Sequence, residues 1–137
     1  MSYQIWALLS AFFAGLTAIL AKKGVADVPS NLAVAIRVVV VLVFAVAIAI
    51  LTKQTKVGSI TPRSYGFLAA SGIATGASWL CYFKAIDLGP VSRVAPIDKL
   101  SFVIAVVLGM VLLHEKPSMN VIGGAALIVC GVLITLR

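Results

Sequence analysis

An acid and a base stand side by side at Asp98-Lys99, about nine residues into an otherwise apolar run of the chain. A charged side chain at the centre of a membrane helix costs about 2.5–3.5 kcal/mol on insertion scales, so sequences that keep one usually have a use for it. Such charges bind a polar ligand, couple an ion or fix helix packing. A further cation, Arg37, lies about two turns into a different apolar run. Adjacent helical positions point about 100° apart, so Asp98 and Lys99 are not expected to pair with each other. Arg37 is then the obvious mate for Asp98, either as an ion pair that only holds helices together or as part of a substrate-facing or ion-coupling site. Arg37, Asp98 and Lys99 together leave one positive charge, a lean towards ligands with an anionic or zwitterionic group. Trp79 and Tyr82, one helical turn apart, either line a pocket for a flat ligand or belong to an interfacial aromatic belt. Tyr82, close to Lys84, suits the belt; Trp79 suits either. The candidate substrate-binding or coupling residues are Arg37, Trp79, Asp98 and Lys99.

These residues need elements to hold them, and the composition says what kind. Of 137 residues, 62% are hydrophobic and 11% charged, far from the balance of a water-soluble domain. The apolar residues gather in five stretches, 3–21, 31–51, 65–86, 91–113 and 119–136. Each approximates the twenty or so residues a helix needs to cross the hydrocarbon layer, and helices satisfy their own backbone groups where lipid cannot. The expected fold is an all-α membrane protein with five transmembrane helices. No basic residue precedes the first stretch, contrary to a signal peptide, so it is read as a permanent span. Pro90 can open a helix at its first turn, whereas Pro96 removes an internal hydrogen bond and should bend the fourth span just before Asp98. Exposed backbone beside buried charge is how many transporters build a site near mid-membrane.

The net charge of +7 does not indicate a nucleic-acid partner, because the basic residues sit singly at span ends without an aromatic platform. They are expected to set topology and meet anionic headgroups of the bilayer. Five crossings put Lys53, Lys56, Arg63 and Lys116 on one side and Lys22, Lys23, Lys84, Arg93 and Arg137 on the other, four against five. Orientation normally follows a clear excess of Lys and Arg in cytoplasmic loops. Two readings stand: one fixed orientation, or insertion both ways round with pairing as an antiparallel dimer. Helix contacts in lipid favour small residues, offered by Ala7, Ala11, Gly15 and Ala18, by Ala69, Gly72 and Gly76, and by Gly123, Gly124 and Gly131. The first two groups suit packing inside the chain and the last suits contact between subunits.

Cys81 and Cys130 lie in apolar spans and read as small hydrophobes. His114-Glu115 is not followed by a second histidine at zinc-protease spacing, since Ser118 stands there. No catalytic or metal-ligating set and no cofactor is expected, and the protein is read as not an enzyme.

At Ala85-Ile86-Asp87-Leu88-Gly89-Pro90-Val91-Ser92-Arg93-Val94-Ala95-Pro96, and again at Leu112-Leu113-His114-Glu115 followed by Gly123-Gly124-Ala125-Ala126-Leu127-Ile128-Val129-Cys130-Gly131, the chain resembles the EamA family of the drug/metabolite transporter superfamily. The likeness covers essentially the whole chain, as a single domain over 1–137. It implies a five-helix unit equal to one half of a ten-helix inverted-repeat transporter, needing a second copy of itself or another five-helix chain to complete the substrate cavity. The chain shares with small multidrug resistance proteins only its size and suspected antiparallel pairing. Its first span lacks the acid those proteins use, which leaves Asp98 as the coupling acid if there is one. The expected function is export of small metabolites or amphipathic compounds by alternating access, as a homodimer, from the inner membrane of a bacterium. The alternative is a non-transporting membrane subunit that binds lipid or completes another membrane protein.

Overall fold

The computed structural model describes every residue except Met1, Val57 and Ser59. Among the described residues there are six α-helices and no strand: α1 (Tyr3–Gly24), α2 (Ser30–Leu51), α3 (Pro62–Leu88), α4 (Val91–Asp98), α5 (Leu100–Leu112) and α6 (Met119–Thr135). Four segments are long and apolar enough to cross a membrane: α1, α2, α3 and the α4–α5 run Val91–Leu112. The fifth stretch, expected over 119–136, forms a helix one residue shorter than that. As α6 it has 17 residues, about 25 Å at 1.5 Å per residue, against a hydrocarbon layer of about 30 Å.

Helix boundaries differ from the hydropathic ones where polar chemistry decides them. Helix α3 starts at Pro62, three residues before the apolar run. The Thr61 hydroxyl accepts from the Ser64 backbone N–H at 3.2 Å, an N-cap bond, and Pro62 takes the first helical position, where its missing donor costs nothing. At its other end α3 absorbs Asp87 and Leu88, expected as loop, and the Lys84 ammonium meets the Asp87 carboxylate at 3.2 Å one turn away. Helix α2 ends in paired closing bonds, Lys53 N–H to Ile50 O at 3.0 Å and Gln54 N–H to Ala49 O at 2.9 Å. Lys53 stands at φ 55° to make them, a left-handed terminus that glycine more often fills.

The chain divides into two compact units, one of Ile19–Leu88 and one of Met1–Ala18 with Gly89–Arg137. In the first, α2 and α3 pack as a hairpin. Its buried residues are Ala21, Val25, Ser30, Val34, Phe83 and Ile86. Ser30 and Val34 open α2, Phe83 and Ile86 lie near the end of α3, and Ala21 and Val25 come from the end of α1 and the loop after it. The Lys22 ammonium donates to the Ile86 carbonyl there. Most of the remaining large apolar side chains of α2, from Val38 to Leu51, are uncovered by protein, as expected of a helix solvated by lipid.

In the second unit α4, α5 and α6 pack together, burying Gly109, Ala125 and Val132. The α5–α6 turn is held by the Glu115 N–H donating to Gly109 O at 3.2 Å, with His114 at φ 57°. The Glu115 carboxylate folds back onto Gly109, where an added Cβ would stand 3.1 Å from Oε2. This close approach is what glycine allows at that position. The other small residues behave differently. A Cβ placed on Gly15, Gly72, Gly76, Gly123, Gly124 or Gly131 would meet nothing within 4 Å. Of the small residues expected to pack inside the chain, Ala18 is buried, while Gly15, Gly72 and Gly76 have open space beside them.

Candidate substrate-binding residues

Arg37 sits seven residues after Ser30, the first residue of α2, about 10 Å along the helix axis. Ser30, Val34 and Arg37 follow one another at i, i+4 and i+7, the spacing of one helical face. On α3, Trp79, Phe83 and Ile86 repeat the same spacing. The hairpin brings these two faces together. The Arg37 guanidinium carbon stands 4.4 Å from the centre of the Trp79 ring and 5.4 Å from that of Phe83. Both distances are within range for attraction between a cation and the negative face of an aromatic ring, worth about 0.5–2 kcal/mol. Trp79 thus lies beside Arg37. Tyr82, one residue before Phe83, sets its ring edge-on to Phe83 at 6.5 Å.

Phe83 did not figure among the expected site residues. Its signal was present in the i, i+4 spacing from Trp79, but nothing in the sequence ties either ring to an arginine 42 or more positions away. The ring is 2% exposed, so it packs the hairpin and carries the cation at once.

Asp98 sits seven residues after Val91, the start of α4, the same distance into its own span. The bend expected from Pro96 appears as a break: α4 ends at Asp98, Lys99 is a turn residue and α5 begins at Leu100. Around the break the Lys99 N–H donates to Pro96 O at 3.0 Å and the Phe102 N–H to Lys99 O at 3.1 Å. Both bonds are one residue tighter than α-helical ones, a local 3₁₀ geometry. Contrary to the 100° argument, Lys99 Nζ reaches Asp98 Oδ2 at 3.6 Å. Four methylenes let the ammonium curl back, and the tightened turn shortens the path. Their side chains remain 60% and 38% uncovered by protein respectively, so each head group can still meet another polar molecule.

Residues 1–137 match the EamA-like transporter family. The chain belongs to this family. A curated relative, described as "Uncharacterized transporter in cobO 3'region" from Sinorhizobium sp, is 50% identical over 134 residues, which cover 97% of this chain and 95% of the relative. The two chains are therefore of nearly equal length. No solved structure matches. With its apolar helices, the EamA-family chain is a multi-pass membrane protein living in a lipid bilayer, and a transporter rather than an enzyme.

Proposed function

We propose that this EamA-family protein exports small metabolites or amphipathic compounds from the inner membrane of a bacterium, working as a dimer by alternating access. Each protomer supplies five membrane crossings, with α6 as the fifth, and half of a ten-helix assembly. Arg37 and Trp79 bind substrate, and Asp98 with Lys99 binds substrate or couples an ion. The observation that carries this reading is that charge is kept about 10 Å into two spans, each time with a dedicated neighbour: aromatic rings for Arg37 and an opposite charge for Asp98. Transporters in other folds place polar sites at just such helix breaks. The uncovered glycine faces at Gly123, Gly124 and Gly131 support a second copy packed there, since small residues bring membrane helices close. The four-to-five balance of loop cations supports opposite orientation of the two copies.

The test is transport by the purified chain reconstituted alone in lipid vesicles, screened with amino acids, quaternary amines and sugar-linked lipids. A compound carried by the parent should be carried at least tenfold more slowly by Asp98→Asn and by Lys99→Met, with helicity unchanged by circular dichroism. Full activity in both variants removes these two residues from the mechanism. Transport that appears only after a second, different polypeptide is added favours the role of a membrane subunit.

A further inference from the structure

We infer that Arg37, on its bed of Trp79 and Phe83, is the receptor for a small organic oxyanion, a carboxylate or phosphate carried on an apolar body. This rests on the exporter reading and names the class of its cargo. A guanidinium carries five N–H donors in its plane and has no acceptor. The two rings stand 4.4 and 5.4 Å from the guanidinium carbon, and neither side chain has an oxygen or nitrogen acceptor for its N–H donors. Among the described residues of the same unit, no carboxylate forms an ion pair with Arg37, and Asp87 is held by Lys84 at 3.2 Å. The planar fork that remains matches a two-oxygen anion.

The surroundings define the rest of the ligand. The Trp79 and Phe83 rings beside Arg37 are themselves apolar, a surface for an apolar body. A cationic ligand would meet the Arg37 charge head-on. An oxyanion at this depth can come from a soluble compound or from the phosphate of an anionic lipid, because a long arginine side chain can reach towards the headgroups. The chemistry is shared, and the test separates the sources.

Trp6→Phe leaves Trp79 as the sole tryptophan, since the chain has two. In this background, in phosphatidylcholine nanodiscs, Trp79 fluorescence is titrated with benzoate, with its neutral isostere benzamide and with phenyltrimethylammonium. Benzoate should give a saturable change at least tenfold tighter than either of the others. Arg37→Gln should abolish that change, and Arg37→Lys should weaken it by keeping the charge without the fork. Equal responses to benzamide, or a benzoate response that survives in Arg37→Gln, overturn the inference. A change produced by phosphatidylglycerol discs with none from benzoate assigns the oxyanion to lipid and overturns the cargo assignment. Arg37-dependent benzoate binding without any transport in vesicles would remove the exporter reading and leave this site standing. Transport that persists undiminished in Arg37→Gln would do the reverse.

Discussion

The α2–α3 hairpin and the broken helix α4–α5 meet the same difficulty in different ways. Each keeps a charge seven residues inside a helix that has to live in lipid. The hairpin lays its cation on two aromatic faces, one of them almost fully covered, at the end where Ser30, Val34 and Ile86 are also buried. The broken helix gives its carboxylate a lysine next door, at a turn freed by Pro96, with both side chains partly uncovered. The first solution uses packing and leaves hydrogen-bond donors over; the second uses charge and leaves backbone freedom over. The lesson is that cation-on-ring contact is built into the hairpin's core, while the ion pair is a local and separable feature.

Three experiments can break or sharpen this contrast. Phe83→Ala should have the largest effect, because it opens a cavity in the hairpin and takes away one ring from under Arg37. Truncating a buried phenylalanine costs about 3–5 kcal/mol in soluble cores. Here the lower end, about 3 kcal/mol, is expected, since lipid already solvates apolar groups. Thermal unfolding in detergent measures it, and a loss below 1 kcal/mol would show that the hairpin is held elsewhere.

Arg37→Met comes next and should act in the opposite direction. Losing the ring contact costs about 0.5–2 kcal/mol, while removing a charge from a span relieves about 2.5–3.5 kcal/mol. The balance is a gain of about 0.5–3 kcal/mol, read as a higher unfolding midpoint together with lost ligand response. A variant less stable than the parent would give Arg37 a packing role instead. The smallest effect belongs to the ion pair. A double-mutant cycle with Asp98→Asn and Lys99→Met should give a coupling no greater than about 1 kcal/mol, as for other uncovered pairs. Strong coupling would mean that water is excluded from the break, making the two regions more alike than their burial indicates.

Much of this could be read before any coordinates. The five apolar stretches, the proline ahead of Asp98 and the charges within spans follow from residue type and spacing, and the motifs around Gly89-Pro90 and His114-Glu115 carried the family likeness. Local chemistry explains the misses at the edges. The Thr61 cap and Pro62 start α3 early, a signal that hydropathy overlooks although the residues are plain to see. The Asp98–Lys99 contact lies outside what ideal helical angles allow, because the helix is not ideal at that turn.

By itself the sequence determined that the chain lives in a membrane, roughly where it crosses, and which few side chains pay for charge in oil. These follow from transfer free energies and helical rise, which depend on residue type and order alone. The tertiary structure decided what each charge touches: Arg37 on Trp79 and Phe83, Lys99 on Asp98, and the Glu115 carboxylate on Gly109. Those contacts depend on which helical faces meet and where a backbone tightens, and spacing along one strand of chain carries no information about a face supplied by another.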